Sequence, residues 1–228
     1  MPLEYHGQDA SQLPPAPVTT TQGPRGKAAR GTDGNDSGAL WWDHDDDATP
    51  GSNGGQGFTG AVGTDGKNGG STPPLFKLTL TQPLKTQLVI DCSGGDGQPG
   101  GQGGTGGDGG EGGDGGNSAD GDEHPAASGG LGGEGGRGGQ GGKGGDGGGI
   151  HQLQIVVAGA SVDINLISVN YKQGLGGSAG LSGEGGNGGI GGAAGDGGGR
   201  SPTGSSGPSD NPGANGADGP IEEFTFVL

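Results

Sequence analysis

Both tryptophans of the chain stand side by side, in the stretch Leu40-Trp41-Trp42-Asp43-His44-Asp45-Asp46-Asp47. Adjacent indoles next to carboxylates suit a sugar: the rings stack on its apolar face and the carboxylates accept hydrogen bonds from its hydroxyls. Trp41, Trp42, Asp43, His44 and Asp45 therefore form the candidate ligand-binding set. The competing structural reading is that one indole plugs the end of a fold short of large side chains, and a protein–protein contact is the third. A second acidic stretch, Asp120-Gly121-Asp122-Glu123-His124-Pro125, offers the same residue types. Together, Asp46, Asp47, Asp122, Glu123 and His124 make a mixed nitrogen and oxygen set of the kind that holds Zn²⁺ or Mn²⁺, or Ca²⁺ through oxygens alone. No CxxC or HExxH spacing accompanies it, so a solvated acidic loop is the simpler reading and no resident cofactor is required.

Other short matches carry less chemistry. Gly176-Gly177-Ser178-Ala179-Gly180 fits GxSxG, but without the strand–turn–helix elbow or an evident partner histidine. The many GxGxxG matches are products of a repeat and lack a βαβ context. His151 opens an apolar stretch and reads as structural, and Cys92 reads as a small packed side chain. As the single cysteine, it makes no internal disulfide. With no catalytic constellation left, the expectation is a protein that is not an enzyme.

What must position the two acidic stretches is unusual. Of 228 residues 67 are Gly and 15 Pro, and the formal net charge is -16. Gly at that density excludes a helical bundle, and the proline content is too low for collagen. The scattered basic residues disfavour a nucleic-acid partner, and no apolar run is long enough to insert in a membrane as a helix. The N-terminal residues show no basic region followed by an apolar stretch. The expectation is a soluble protein without a cleaved signal peptide, cytoplasmic, or placed on a phage or outside a cell by a non-standard route.

Glycine recurs at every third position. The runs are 94–117, 129–149 and 174–199, with weaker ones at 51–70 and 204–219 and an irregular one at 23–38. Three residues per turn is the period of the left-handed polyproline-II helix, whose all-glycine counterpart is polyglycine II. In Gly-Gly-X the two glycine rows allow close approach of neighbours and the X row faces outward. Asp108, Glu111, Asp114, Glu134 and Asp146 on the X rows read as solubilising charge. The row Leu175, Ser178, Leu181, Glu184, Asn187, Ile190 is more apolar and suits packing against something.

The apolar residues sit in 75–91, 150–171 and 221–228, with strand-like alternation in each. Turns at Thr81-Gln82-Pro83 and Ala158-Gly159-Ala160 predict two hairpins and a C-terminal strand. A phase slip between Leu166 and Ile167 predicts a bulge or bend, and Leu3–His6 adds a short edge strand. Glycine runs come in pairs between these segments, so each pair must leave the strands, turn and return. The fold class is then irregular and all-β: about six polyglycine-II helices joined to a small antiparallel β-domain, with essentially no α-helix. Residues 1–22 read as an N-terminal extension and 23–228 as one intertwined unit. Three turns, at 39–50, 118–128 and 200–203, gather at the far tip.

Glycine-rich runs of this kind, alternating with strands, resemble the N-terminal domain of Obg GTPases over about 23–228, although the GTPase domain is absent and GxxxxGK[ST] fails around Gly142-Lys143. The bundle is also similar to the glycine-rich tips of phage tail-fibre adhesins and to springtail antifreeze proteins. The adhesin resemblance implies receptor contact through tip loops, and the antifreeze resemblance implies ice binding.

Variable loops on a rigid scaffold are where binding usually resides. The leading expectation is thus a non-enzymatic recognition protein whose acidic, Trp-bearing tip loops bind a glycan or cell-surface receptor. A structural or assembly module is the alternative, including a homo-oligomer paired through strand edges or glycine faces. Ice binding is the third, on the face bearing Ser178, Ala179, Ser182, Ala193 and Ala194.

Overall fold

A polyglycine-II helix makes no hydrogen bonds to itself, so its path through the molecule can be followed from where its N–H groups go. The computed structural model describes residues 3–11, 26–33, 46–119, 125–158, 162–222 and 225–227. Within them the glycine runs are extended, with no α-helix, and they bond to one another by period-three ladders. In the third run (94–117), one glycine row donates to the fifth run (174–199), as Gly103 N–H does to the Leu181 carbonyl. Its other row donates to the second run (51–70), as Gly107 N–H does to the Phe58 carbonyl. The fourth run (129–149) donates in the same way to the sixth (204–219) and the third, through Gly135 to Ser205 and Gly136 to Gly107.

These ladders sort the runs into two layers. One holds the first, third and fifth runs, all leaving the strands; the other holds the second, fourth and sixth, all returning. The third and fourth runs lie at the centre and carry two full glycine rows, whereas the second and sixth lie outside and carry one. The N-terminal chain enters the same scheme: Ala10 N–H donates to Asp96 near the strands, and Ala28 and Gly31 donate to Glu111 and Asp114 near the tip. A run of about 24 residues rising ~3.1 Å each gives a shaft of roughly 75 Å.

The strands continue the layers. β1 (Leu3–His6), β3 (Leu88–Ser93) and β5 (Ile167–Lys172) form one parallel sheet in the order β1-β3-β5. Likewise β2 (Leu75–Leu80), β4 (Gln152–Val157) and β6 (Thr225–Val227) form another in the order β2-β4-β6. This corrects the expected antiparallel hairpins. Each strand is the end of a polyglycine run, so it inherits the parallel neighbours of that run, and the turn after Leu80 carries the chain from one sheet to the other as an arch. Pairing of Leu88 with Ile167 and of Leu75 with Gln152 sets the registers. The edge strand at Leu3–His6 is present, and the phase slip becomes a 3-10 turn at Ile164–Leu166 just ahead of β5.

Between the sheets lies a small core of Ile90, Cys92, Ile150, Leu153 and Ile155, flanked by Phe76, Leu78 and Val169. Along the shaft, glycine packing replaces a core. Added at Gly136, a Cβ would sit against the Phe58 carbonyl, and at Gly106 against the Gly136 carbonyl, both far inside van der Waals contact.

Several X-row carboxylates do more than solubilise, which corrects their reading as surface charge. The X-residue N–H points away from the glycine row that bonds the neighbouring runs, and an Asp or Asn on the adjacent run of the same layer accepts from it. Asp96, Asp108 and Asp114 accept from Leu175, Asn187 and Ala193 at 2.8–3.0 Å. In the other layer Asn53, Asp65 and Asn68 accept from Leu131, Lys143 and Asp146 at 2.8–2.9 Å.

A glycine substitution scan should separate interior from surface. Gly136→Ala or Gly106→Ala is expected to destabilise by about 3 kcal/mol or more, the upper end for overpacking. Gly26→Ala and Gly199→Ala, where an added Cβ meets nothing within 4 Å, should change the melting temperature little. Thermal unfolding followed by far-UV circular dichroism reads both.

Candidate functional site

The tip is assembled by side chains rather than by apolar packing. Asp33, at the end of the first run, accepts from the Asn117 N–H at 2.8 Å, and Arg30 pairs with it at 2.6 Å. The Asn117 side chain in turn accepts from the Asp196 N–H at 3.0 Å. The Asp196 carboxylate then takes both the N–H and the hydroxyl of Ser118, at 3.0 and 2.5 Å. One chain of hydrogen bonds therefore fastens the bases of all three tip turns. The third turn falls a few residues earlier than expected, at Gly195–Gly197, where Asp196 and Gly197 take φ of 55° and 74°. Left-handed backbone is open to Gly and tolerated by Asp, and it aims the Asp196 carboxylate back at Ser118.

Trp41, Trp42, Asp43, His44 and Asp45 lie outside the described residues, as do Asp122, Glu123 and His124. Asp46 and Asp47 are described and stand where the second pass begins its return, close after the first loop. Among the described residues no group of three or more His, Cys, Asp or Glu side chains could hold a metal ion. What the fold does place is the departure and return of those loops: residues 32 and 49 are linked by Thr49 N–H donating to the Thr32 carbonyl, and Ala127 N–H closes on the Gly116 carbonyl.

At the opposite end a cavity of about 240 Å³ opens between the two sheets, with Cys92, Ile150, Leu153 and Val169 on its apolar side and His151, Tyr171 and Glu222 at its mouth. His151 Nδ1 lies 3.2 Å from Glu222 Oε1. Burial, followed by the Asp91 charge, pushes the Cys92 thiol up from its ordinary value, which keeps it protonated. A protonated thiol is not an activated nucleophile, and Cys92 packs in the core, as its sequence context suggested, while His151 stands at the cavity rim. Ser178 of the GxSxG match sits in the fifth run with its carbonyl accepting from Gly100; it is part of the ladder, not of an elbow. On the outer side of β1 and β3, His6 Nδ1 meets Ser93 Oγ at 2.6 Å, with Glu4 3.8 Å from the other ring nitrogen.

Sequence reasoning missed the Asp33–Asn117–Asp196–Ser118 chain. Its signal was present as a spacing: Asp96/Leu175, Asp108/Asn187, Asp114/Ala193 and Asn117/Asp196 are all 79 apart. No helix among the described residues is long and apolar enough to cross a membrane.

No family model matches the chain, and no curated protein matches it. Among solved structures, it is similar to a springtail antifreeze protein from Granisotoma rainieri, a nine polyproline type II helical bundle, at 29% identity. That match covers 75% of this chain and 96% of the other, with a TM-score of 0.10. Such a score is no superposition of folds, so the architecture rests on the ladders themselves. These comparisons lend nothing to the likeness with Obg domains or phage adhesins.

The tip and shaft carboxylates make stability depend on acid. The Asn117 N–H, aided by Arg30, holds Asp33 below the ordinary 3.8, and Ser118 does the same for Asp196. Asp114 is lowered by Lys27 and the Ala193 N–H, and Asp146 by the Ala217 N–H and Lys143. Because each folded value lies below the unfolded one, the stabilisation is complete above the unfolded carboxylate range and drains away as pH falls through the folded values. Melting temperature should be flat from pH 7 to about 5 and fall below about 4. Asp33→Ala/Asp196→Ala should lower it at pH 7 and flatten the acid limb.

Proposed function

We propose that the chain is a non-enzymatic recognition protein that displays acidic, Trp-bearing loops at the tip of a rigid polyglycine shaft, where they bind a glycan or cell-surface receptor. The observation that supports this reading is the side-chain chain from Asp33 through Asn117 to Asp196 and Ser118, which fixes three turn bases at one end. Loops departing from fixed, adjacent points lose less conformational freedom on binding than loops on a mobile base. The stretch 40–47 brings stacking surface and hydroxyl acceptors, the two things a sugar needs.

Ice binding is the second reading, favoured by one feature. The sixth run exposes an uncharged row, Pro202, Ser205, Pro208, Asn211, Ala214 and Ala217, at a repeat of about 9 Å along the shaft. The antifreeze protein named above has crystal waters that match the ice lattice. Next to this row, however, Glu134, Arg137 and Lys143 stand on the fourth run. The flanking exposed row of Thr203, Ser206, Ser209, Pro212 and Asn215 is uncharged as well, but it ends at Asp218. Two rows bordered by charge make a narrow plane, so this reading ranks second.

The discriminating experiment is a binding screen against a glycan array and intact microbial cells, with Ca²⁺ and with EDTA, beside Trp41→Ala/Trp42→Ala. Selective binding that weakens at least about tenfold in the variant is expected, in line with the loss of two stacking side chains. No selective binding in any arm, or full binding by the variant, defeats the tip-loop reading. Thermal hysteresis in the same preparation would promote the second reading, and its absence would remove it.

A further inference from the structure

The edge formed by the fifth and sixth runs has the same hydrogen-bonding groups as the seat that the third and fourth runs make for the fifth. In that seat, Gly103, Gly106, Gly109 and Gly112 donate to the carbonyls of Leu181, Glu184, Asn187 and Ile190. In return, Gly180, Gly183, Gly186 and Gly189 donate to the carbonyls of Gly142, Gly139, Gly136 and Gly133, all at 2.7–2.9 Å. Adding 79 to the first donor set gives Ser182, Gly185, Gly188 and Gly191, and among the described residues their N–H groups have no partner. The facing carbonyls are those of Gly204, Gly207 and Gly213, which likewise accept nothing there. Two of them reach into the cleft in the way the occupied carbonyls do: a Cβ at Gly188 would meet the Gly204 oxygen and one at Gly185 the Gly207 oxygen, as one at Gly109 would meet that of Gly133.

The vacant seat has defined ends. Toward the strands, the protein closes it with its own side chains, Asp218 accepting from Gly176 N–H and Asn215 from Ala179 N–H, both at 2.9 Å. Toward the tip, the Arg200 guanidinium donates to the Gly191 carbonyl at 3.1 Å. Between these closures, from Ser182 to Gly191, about 28 Å of edge is open. Leu181 and Ile190 stand on the neighbouring X row, 68% and 49% exposed.

We propose that this open edge binds a glycine-rich segment of another protein in polyproline-II conformation, laid parallel to the fifth run as a seventh helix. Its X carbonyls accept from Ser182, Gly185, Gly188 and Gly191, one of its glycine rows donates to Gly204, Gly207 and Gly213, and its outward side chains cover Leu181 and Ile190. The requirement for glycine follows from the cleft: the occupant's row nearest the sixth run lies as close to backbone carbonyls as Gly183 lies to Gly104. A second copy of this chain is the poorer occupant, because its full Gly-Gly-X rows are already buried in its own bundle. The proposal stands independently of what the tip loops bind.

The test uses the full chain and a synthetic peptide copying residues 174–192, beside a peptide of the same composition shuffled to break the period of three. Isothermal titration should show binding of the periodic peptide alone. The blocking variant Ser206→Asn/Ser209→Asn places amide acceptors opposite Gly188 and Gly185, as Asn215 already stands opposite Ala179. It should weaken binding about tenfold or more without lowering the melting temperature. Ser206→Trp, which fills the seat without capping it, should give the same loss. Equal binding of the two peptides, no binding of either, or indifference to both variants overturns the proposal. Concentration-dependent self-association in sedimentation, abolished by the same variants, would overturn the assignment to another protein and give the edge to a second copy.

Discussion

Everything in this molecule depends on the fact that a polyglycine-II helix leaves its entire backbone unpaired. An α-helix satisfies most of its own N–H groups, so a single helix can shift or tilt with its bonds intact. Here each triplet has three donors and three acceptors directed outward around the axis, and each must meet a neighbouring run, a side chain or water. The lowest-cost solution is a lattice in which glycine N–H groups meet carbonyls of adjacent runs at close range. Glycine is needed there less for its dihedral freedom than for its missing Cβ, since the space a Cβ would occupy is held by a carbonyl oxygen. Ordering so many glycines carries a large entropic cost, and dense bonding between runs, with Cα–H···O contacts at the same approach distance, is what offsets it.

The lattice also dictates the strands. Once the outgoing runs lie side by side in one layer, any apolar segment that ends such a run is delivered parallel to its counterparts, and β1, β3 and β5 pair because their runs pair. Local turn signals cannot override that order. Thr81-Gln82-Pro83 does reverse the chain, but it reverses it between layers instead of within a sheet. The core is accordingly an interface between two small parallel sheets, with Ile90 and Ile155 fully enclosed and the remainder shared with the bundle end.

Much of this was legible in the residues. Period three gave the helix type, pairing of runs gave the out-and-back path, and alternation placed the strands. Even the central place of the third and fourth runs was written in their two glycine rows, against one for the second and sixth. Strand direction was not legible, because hairpin and arch share the same local turn chemistry and differ only in what lies beside the arms. Nor were the roles of Asp96, Asp108 and Asn117, since a carboxylate on an X row looks solvated until the neighbouring X-residue N–H is known to point at it. The 79-residue spacing between the third and fifth runs is the feature that links those pairs. It links side-chain acceptors to distant backbone donors, a pairing that hydrophobic patterning does not register. As for the candidate site, the sequence named its chemistry at Trp41 and Trp42, while the fold supplied only the fixed bases from which those loops depart.

A shaft made this way has consequences for where function can reside. Its interior contains almost no side chains that could repack, so it offers no two-state element through which binding at one end could bias the other. The cavity rimmed by His151 and Glu222 and the turns held by Asp196 are separated by the length of the bundle and by a lattice that cannot shift by fractions of a triplet without breaking a whole row of bonds. Recognition must then be local, and only three kinds of surface are free to vary: the tip turns, the X rows and the outermost edge. X rows are constrained wherever they cap a neighbour, which leaves the tip and the edge as the places where chemistry can change without cost to the fold. At the edge the protein has closed only part of its backbone with Asn215 and Asp218. An unpaired period-three backbone can pair along its whole length only with a partner that repeats at the same spacing, whereas side chains and water meet its groups singly.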